Sequence, residues 1–392
     1  MQSIVIHADR AFTPFDEIRD AYVVIQGSKI AAIGPRGKIN LPRGVTEINA
    51  AGRTVVPGFV DVHIHGAGGH DVMEGSREAL EIICATVAAH GTTSLVATTV
   101  TASEKETSES VAGIARFILN TSQYPTRELS AEILGIHFEG PFISPVRRGV
   151  HPTKWIVPPS LEMFAQFLKE ARGTAQILTL APELPGALEL ISAARQAGLV
   201  VSLGHTDATY EQALAAIEAG ASHAAHVYNA MRPFSHRGTG VLGAVLTSPK
   251  VSAELIADGV HVDEAAMRML VELKTPERVI LVSDGMSATG MPDGKYQLGM
   301  FEVKVSAGVA RNAEGKLAGS TLTLDRALRN MVALGVPLAS ALRMVTANPA
   351  RQIGLAACKG VLAPGADADL VFLDDKLEVS GVMTRGAGLA LA

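Results

Sequence analysis

The chain has 392 residues, of which 47% are hydrophobic and only 4% aromatic, and its formal net charge is -5. A mildly acidic chain without basic runs argues against a partner such as nucleic acid or a membrane surface. The N-terminus lacks a basic start and an apolar core, so we expect no signal peptide, and no apolar run approaches the ~18 residues that span a bilayer. The only cysteines, Cys84 and Cys358, do not make a disulfide scaffold. We therefore expect a cytoplasmic protein with reduced thiols.

The two ends of the chain share a β-rich texture. Residues 1–56 contain short strand-like stretches with Gly or Pro between them: SIVIHA, AYVVIQGSKIAAIG and GVTEINAAGRTVVPG. The same texture returns in KGVLAPGADADLVFLDD, after a helical stretch that ends near Ala357. We predict that residues 1–56 and 359–392 form one small β-sandwich domain.

The middle of the chain alternates apolar runs with helix-like segments. We count eight runs: FVDVHIHG, TTSLVATTV, ILGIHFEGPF, AQILTLAPE, LVVSLGHTD, ASHAAHVYNAM, VSAELIADGVH and RVILVSDGM. Helices fit between several of them: SREALEIICATVAAH, LEMFAQFLKEA, LELISAARQAG, TYEQALAAIEAG and EAAMRMLVEL. Continuous Val/Ile/Leu runs are typical of parallel strands buried on both faces. An α/β fold with a (β/α)8 TIM barrel over residues 57–358 is the leading prediction, and a doubly wound open sheet is the alternative.

Polar residues recur where these runs end. In chain order they are His63, His65, Thr98, Thr99, Glu139, Glu183, His205, His226, Asp258 with His261, and Asp284. Active sites of such barrels lie where the C-terminal ends of the strands converge. Alternation also puts Asp61, His63 and His65 on one face of the first strand, so both imidazoles can reach a single cation. The sequence therefore predicts a site at this rim.

The residue types at the rim favour metal-assisted hydrolysis. Imidazole nitrogens with a carboxylate suit zinc or iron, whereas calcium prefers more oxygen ligands. Asp284, at the end of the eighth run, is placed to shuttle a proton from water to a leaving amine. No G-x-S-x-G elbow, P-loop or strand-linked G-x-G-x-x-G occurs, so serine hydrolases and nucleotide-binding folds are unsupported.

Several motifs resemble the amidohydrolase superfamily and, within it, the N-acetylglucosamine-6-phosphate deacetylase family. They are PGFVDVHIHG, HFEGPF at 137–142, RRGVHP at 147–152, LGHTDA at 203–208, HVYNAM at 226–231, HRGTG at 236–240, ADGVH at 257–261, SDGM at 283–286 and LAGSTLTLD at 317–325. They run in order over residues 57 to about 370. The resemblance implies hydrolysis of N-acetylglucosamine 6-phosphate to glucosamine 6-phosphate and acetate, in amino-sugar breakdown or recycling.

The resemblance also implies the metal ligands. It makes Glu139, His205 and His226 the ligands of the main divalent metal, with zinc expected first and iron second. His63 and His65 match a pair that binds a second ion in two-metal members, with Glu139 bridging. Some members use one ion, so one or two ions per subunit stay open at this point. The superfamily's other bridge, a carboxylated lysine, has no lysine at a strand end here.

For the substrate, the resemblance implies contacts around the sugar and its phosphate. The candidates are Val150, His151 for the acetyl carbonyl or sugar, Asn229, Ala230, Arg237 and His261 for the phosphate end, Asp258, and the sugar wall Leu317, Ala318, Gly319 and Ser320. Guanidinium suits this role because it offers a fork of donors to a phosphate. In the family, phosphate-binding groups can come from the neighbouring subunit, so a homodimer is expected.

Two other functions stay open from the sequence. One is the same reaction on N-acetylgalactosamine 6-phosphate, since the metal and phosphate motifs would be the same. The other is a metal-free barrel retained as an interaction module, which would be expected to lose its ligands. His7, His70, His90 and His223 lie off the strand-end pattern, so we expect them to be surface or packing residues.

Overall fold

The fold is seen in a computed structural model that describes residues 3–13, 15–38, 44–123 and 128–389. The first two and last three residues, which the sequence assigns to the sheet domain, lie outside this range. In chain order, the strands are β1 (Ser3–Phe12), β2 (Glu17–Gln26), β3 (Lys29–Pro35), β4 (Thr46–Pro57), β5 (Phe59–Ile64), β6 (Gly66–Ala67), β7 (His70–Asp71), β8 (Thr92–Thr99), β9 (Glu132–Glu139), β10 (Ala175–Leu180), β11 (Val200–Leu203), β12 (His223–Ala224), β13 (Ser252–Leu255), β14 (Val279–Leu281), β15 (Gly294–Leu298), β16 (Phe301–Ser306), β17 (Val309–Asn312), β18 (Leu370–Leu373) and β19 (Val379–Met383).

The helices mostly follow the barrel strands one by one. They are α1 (Arg77–Ala88), α2 (Glu104–Gln123), α3 (Leu161–Ala171), α4 (Ala187–Gln196), α5 (Tyr210–Ala219), α6 (Gly240–Thr247), α7 (Glu264–Lys274), α8 (Leu324–Ala333), α9 (Leu338–Val345) and α10 (Ala347–Gln352). Side-chain caps fix several starts, since Ser76, Ser160 and Thr209 each accept a backbone N–H three residues ahead. The five helices proposed from the sequence are confirmed, with ends that differ by a residue or two.

Eight parallel strands form the barrel in the order β14–β13–β12–β11–β10–β9–β8–β5. The barrel closes where the chain after β14 meets the end of β5. Ile64 and Gly285 pair in a parallel bridge there, and the N–H of Asp284 donates to the carbonyl of His63 over 2.9 Å. Helices follow all eight strands, so the predicted TIM barrel is confirmed.

The barrel strands are apolar because both of their faces are covered. Every residue of β5 and β8 is buried, and their apolar side chains join one large core with the inner faces of the surrounding helices. A polar side chain buried in such a strand destabilises the fold unless it forms hydrogen bonds or ion pairs. The histidines and carboxylates among them therefore need a specific explanation.

Both ends of the chain contribute to a six-stranded sheet in the order β19–β18–β4–β1–β2–β3. In its centre β18 runs antiparallel to β4, with Phe372 opposite Val55. These two side chains belong to a core distinct from that of the barrel, together with Ile6, Val23, Ile25, Ile30, Leu370 and Met383. A separate sheet domain with strands from both ends of the chain is therefore confirmed, and these strands form one six-stranded sheet where a β-sandwich was predicted.

A buried lysine joins the barrel to this sheet. Lys359 Nζ lies 2.6 Å from Glu132 Oε2 at the start of β9, and 3.0 Å and 2.8 Å from carboxylate oxygens of Asp367 and Asp369. Burial lowers the pKa of Lys359, but the three carboxylates outweigh it and raise the pKa above its ordinary value. The lysine therefore stays charged and holds the two parts together.

An insertion between β14 and α8 was not predicted. Strands β15, β16 and β17 form an antiparallel sheet, and its side chains Leu298 and Val303 pack with Val100 and Met286. The strands are half exposed, so they lack the continuous apolar runs that indicated the barrel strands. Among the described residues, no helix is both long enough and apolar enough to cross a bilayer.

Candidate active site

A cavity of about 190 Å³ opens at the C-terminal ends of the barrel strands. Most of the residues predicted for the site line it. The lining residues are His65, Val100, Glu139, Gly149, Val150, His151, His205, His226, Asn229, Ala230, His261, Asp284, Leu298, Phe301, Leu317 and Gly319. His63 lies directly below this lining and is fully buried. The structure therefore brings together strand ends that are far apart in the sequence.

The carboxylate of Glu139 lies at the centre of a ring of histidines. Its Oε1 is 3.3 Å from His63 Nε2, 3.2 Å from His205 Nε2 and 2.9 Å from His226 Nε2. Its Oε2 is 3.4 Å from the Nε2 atoms of both His65 and His151. Glu139 ends β9, and parallel strands that end at one level bring these side chains together. We call Glu139 and these five histidines the Glu139 cluster.

Hydrogen bonds to the far nitrogen fix the tautomers of three of these histidines. His65 Nδ1 faces the carbonyl of Thr98 at 3.0 Å, and His205 Nδ1 faces the carbonyl of Arg147 at 3.0 Å. His63 Nδ1 faces the Glu254 carboxylate at 2.8 Å. Each of these partners is an acceptor, so each Nδ1 must carry the proton. In their neutral forms, the three rings therefore direct Nε2 lone pairs toward Glu139, where a cation would bind.

His151 has the opposite tautomer. The backbone N–H of Thr101 donates to its Nδ1 over 3.2 Å. Since Nδ1 accepts, the proton of a neutral ring lies on Nε2. In the neutral rings, His151 therefore offers an N–H donor to the cavity, whereas His63, His65 and His205 offer lone pairs.

The Glu139 cluster fits a divalent cation. Lone pairs that face a carboxylate oxygen repel one another unless a positive charge lies between them. His205 and His226 bring their Nε2 atoms to within 3.1 Å, and His63 Nε2 is buried without a hydrogen bond from any described residue. Within the described part of the chain, three groups have ligand atoms within 4.8 Å of one another: His63–His65–Asp284, His63–Glu139–His226 and Glu139–His151–His205. Nitrogen and carboxylate donors at this density suit zinc or iron.

The electrostatics of the buried groups also favour positive charge here. Burial lowers the pKa of His63, but the carboxylates of Glu254 and Glu139 outweigh it and hold the pKa well above its ordinary value. Burial raises the pKa of Glu139, but His63 and His205 hold it well below its usual range. Burial lowers the pKa of His205 to about 4, so its ring is neutral and able to bind a cation near neutral pH.

Asp284 lies beside this cluster at the closure of the barrel. Its Oδ1 is 3.2 Å from His65 Nε2 and 3.6 Å from His63 Nε2. Burial raises the pKa of Asp284, but the contact with His65 and the charge of His63 lower it below its ordinary value. An ionised carboxylate at the cavity wall is able to accept a proton.

Strained backbone accompanies several of these side chains. His205, His226, Ala230 and Asp284 have positive φ angles of 47°, 27°, 49° and 48°. Residues other than glycine adopt this region at a cost, and such positions cluster at functional sites. The strained positions therefore coincide with the site.

Three predicted residues lie just behind the cavity wall. Asp258 Oδ2 is 2.7 Å from His261 Nδ1, so it orients the histidine that lines the cavity. Ser320 is buried, and its hydroxyl donates to the carbonyl of Ser283. Ala318 is also buried, next to Leu317 and Gly319, which line the cavity. These three residues support the wall.

Arg237 is the predicted residue that the chain does not bring to its own cavity. It is exposed in the loop after His226, where Ser235 and Gly238 pair in a short bridge. Its side chain is not part of the cavity lining. Of the other strand-end residues, Glu183 accepts bonds from the Thr206 hydroxyl and the Asp207 N–H, so it shapes the loop after β11.

The sequence analysis missed three features of the site. Glu254 contacts two buried histidines from the middle of an apolar run, and a charged residue at that position was the available signal. The tautomer of His151 depends on Thr101, which carries no sequence signal for this role. The wall formed by Val100, Leu298 and Phe301 depends on the unpredicted insertion.

Comparisons with known proteins agree with this geometry. The sequence model of the amidohydrolase family matches residues 54–387. N-acetylglucosamine-6-phosphate deacetylase of Lysinibacillus sphaericus is 39% identical over 347 residues, which cover 88% of this chain and 87% of the relative. N-acetylgalactosamine-6-phosphate deacetylase of Escherichia coli O157:H7 is 38% identical over 383 residues, which cover 97% and 98% of the two chains.

A solved structure is also similar over the full length. It is a mutant of N-acetyl-D-glucosamine-6-phosphate deacetylase from Mycobacterium smegmatis in complex with N-acetyl-D-glucosamine-6-phosphate. Its TM-score is 0.92 at 38% identity, and 100% of each chain is covered. The similarity therefore includes both the barrel and the sheet built from the two termini.

Proposed function

Because this chain belongs to the amidohydrolase family, we propose that it hydrolyses the acetamide of N-acetyl-D-glucosamine 6-phosphate. Water cleaves the C–N bond, giving acetate and D-glucosamine 6-phosphate, a step of amino-sugar metabolism. The observation that carries the proposal is the Glu139 cluster with Asp284 beside it in one cavity. The similarity to deacetylases over nearly the whole chain supports the substrate.

The cofactor is a divalent metal, with zinc as the first candidate and iron as the second. Glu139, His205 and His226 would hold one ion, and His63 and His65, together with Glu139, would hold a second. A bound divalent cation lowers the pKa of a water in its coordination sphere and polarises a carbonyl oxygen. The Nδ1 hydrogen bonds of His63, His65 and His205, which turn each Nε2 toward Glu139, support these assignments. The buried His63 Nε2, which has no hydrogen bond from a described residue, favours two ions over one.

Asp284 and His151 carry the proton transfer and the carbonyl contact. Asp284, ionised at the cavity wall, takes a proton from the attacking water and delivers it to the amine that leaves. His151, whose proton lies on Nε2, donates a hydrogen bond to the acetyl oxygen as negative charge develops there. Both groups lie within 3.4 Å of a member of the Glu139 cluster, which supports their acting on one substrate amide.

The remaining lining residues bind the sugar and its phosphate. Val150, Asn229, Ala230, Leu317 and Gly319 enclose the sugar, and His261 faces the phosphate end. Because Arg237 is exposed and away from the cavity of its own chain, we assign it to the cavity of a second subunit in a homodimer. Residues 57–358 form the catalytic barrel in this proposal, and 1–56 with 359–392 form the appended sheet domain. The cytoplasm stays the expected location.

N-acetylgalactosamine 6-phosphate is the second candidate substrate. The E. coli relative named for it is nearly as similar as the first relative named for the gluco epimer. Acetate release from both sugar phosphates, compared by kcat/KM, separates the two. A higher kcat/KM for the gluco epimer supports the proposal. A higher kcat/KM for the galacto epimer would make N-acetylgalactosamine 6-phosphate the substrate.

The number of ions is tested by elemental analysis of wild type and of His63→Asn/His65→Asn protein. We expect two ions in wild type and one in the double variant. One ion in both proteins would contradict the claim that a second ion binds, and it would leave the proposed deacetylase activity unaffected.

A further inference from the structure

Glu254 is a buried carboxylate directly beneath the Glu139 cluster. It lies in β13, and its side chain points into the barrel and is fully buried. Its Oε2 is 2.8 Å from His63 Nδ1 and 2.9 Å from the backbone N of His226. Its Oε1 is 2.8 Å from His223 Nε2. A carboxylate at this depth requires partners, and three donors surround it.

The carboxylate sets the tautomer of His63. An ionised carboxylate only accepts hydrogen bonds, so His63 must donate through Nδ1. Nε2 of His63 is then directed at Glu139 Oε1, 3.3 Å away, and in the neutral ring it carries the lone pair that can bind a cation. Without an acceptor at Nδ1, the ring would be free to turn or to place its proton on Nε2. A proton there would face the cation site instead of a lone pair.

Glu254 also fixes the backbone that carries His226. Its side chain receives the N–H of His226, and its own carbonyl receives the N–H of Val227 over 3.0 Å. His226 has a φ of 27°, an uncommon angle for a residue with a side chain. These two bonds hold the strained segment in place and therefore hold the ring of His226 against Glu139.

His223 completes the carboxylate's shell without reaching the cluster. It is fully buried and donates through Nε2, and its Nδ1 has no hydrogen-bond partner among the described residues. It is not part of any candidate metal group in this part of the chain. The packing role expected for His223 from the sequence agrees with this burial.

We propose that Glu254 is a positioning residue that orients one ligand of each cation subsite, His63 through its ring and His226 through its backbone. The inference rests on the proposed metal-dependent function. Loss of a residue that hydrogen-bonds to a metal ligand typically lowers metal affinity or activity by 10- to 100-fold. A carboxylate that acted only through its negative charge would lose as much metal affinity in Glu254→Gln as in Glu254→Met, because both substitutions remove that charge.

The test is a zinc titration of metal-free protein against a chromophoric chelator. Glu254→Met keeps the approximate volume and removes all acceptors, so we expect zinc affinity to fall by about 10- to 100-fold. Glu254→Gln keeps one acceptor oxygen for His63 and His226, while its amide faces His223, which is free to move its proton to Nδ1. This variant should lie between wild type and Glu254→Met.

The matched control is His223→Gln. The glutamine amide can donate to Glu254 Oε1, so the same buried network changes while His63 and His226 keep their bonds. Zinc affinity should stay near that of wild type. A loss as large as in Glu254→Met would mean that any change in this part of the core disturbs the metal, which would overturn the positioning role.

A second readout reports the tautomer itself. In zinc-loaded protein labelled with nitrogen-15 in its histidines, His63 should bind zinc through Nε2 and carry its proton on Nδ1 in wild type, and should lose this pattern in Glu254→Met. Thermal unfolding of the metal-free proteins shows that the variants are folded. If wild type binds no zinc, the proposed function fails. If wild type binds zinc and folded Glu254→Met binds it equally well, or if Glu254→Gln loses as much affinity as Glu254→Met, only the positioning role of Glu254 fails.

Discussion

The backbone N–H of Thr101 donates a hydrogen bond to Nδ1 of His151 over 3.2 Å. The bond crosses from the end of β8 to the loop after β9, and both groups are buried. It makes His151 a donor in a cluster where the neighbouring histidines are acceptors. Histidine therefore has two roles in this cavity: His151 donates a hydrogen bond, and its neighbours offer nitrogen atoms to a cation.

This difference predicts unequal effects of two substitutions at His151. In His151→Gln the amide nitrogen can take the place of Nε2–H, whereas Asn reaches only the place of Nδ1. We expect kcat to fall by about 10²–10³ for His151→Asn, the usual effect of losing one donor to a developing oxyanion, and by less for His151→Gln. Steady-state acetate release measures both. Metal content should stay at the wild-type value, and loss of an ion from either variant would make His151 a ligand.

Asp284→Asn should abolish most of the turnover while the site still binds metal and substrate. The asparagine keeps the size of the side chain but does not accept a proton from water. Turnover should fall by roughly 10²–10⁴, the range for loss of a general acid–base group. Elemental analysis and binding of a substrate analogue should remain near wild type. If the variant loses metal, Asp284 is mainly a ligand, and if kcat is retained, another residue is the base.

Arg237→Ala should impair binding of the phosphorylated sugar selectively. A hydrogen bond to a charged group contributes roughly 1.5–3 kcal/mol, so KM for N-acetylglucosamine 6-phosphate should rise about 10- to 150-fold. The unphosphorylated sugar should be a poor substrate for both proteins and should be affected little. Equal effects on the two sugars would make Arg237 a structural residue.

The same variant tests whether Arg237 acts across a subunit interface. In a dimer mixed from Arg237→Ala and Asp284→Asn chains, one of the two cavities has an intact Arg237 and an intact Asp284 if the arginine comes from the partner. Mixing the two variants should therefore restore activity with the phosphorylated sugar. An arginine that acts in its own chain would give no recovery, because each cavity would keep one defect.

Lys274 predicts a pH dependence of stability away from the active site. It is 4% exposed and donates to the carbonyl of Val245, and burial, with a smaller effect of Arg278, lowers its pKa to about 8. Between pH 8 and about 10.4, the unfolded chain therefore holds a proton that the folded chain lacks, and wild-type stability rises with pH in that window.

The comparison with Lys274→Met isolates this effect. The unfolding free energy of the variant minus that of wild type should decrease by up to about 1.4 kcal/mol per pH unit between pH 8 and 10. Denaturant unfolding at several pH values measures the difference. A difference independent of pH would show that the lysine keeps its ordinary pKa in the folded protein.

Much of the fold and the site could be read from the sequence because burial imposes clear patterns. Continuous apolar runs indicated barrel strands, and their polar ends, such as His63, Glu139 and Asp284, had to meet at one rim. The insertion formed by β15–β17 was not predicted, because half-exposed antiparallel strands have no continuous apolar run and resemble ordinary surface segments. The role of Glu254 was not predicted, because it depends on contacts with histidines that lie on other strands.

Tautomers and subunit contacts lie beyond the sequence for a physical reason. The proton of His151 depends on which atom of Thr101 lies beside it, and the protons of His65 and His205 depend on two backbone carbonyls. These partners are backbone groups, which every residue carries. The exposed position of Arg237 likewise follows from the path of its loop and not from its neighbours in the chain.

The most direct test of the account is acetate release from N-acetylglucosamine 6-phosphate by purified protein before metal removal, after it, and after zinc is added back. Elemental analysis of each sample gives the metal content. We predict that the activity disappears with the metal and returns with zinc, because Glu139 and the histidines around it hold the cation that the reaction needs. Full activity in protein that elemental analysis shows to be free of metal would contradict the account.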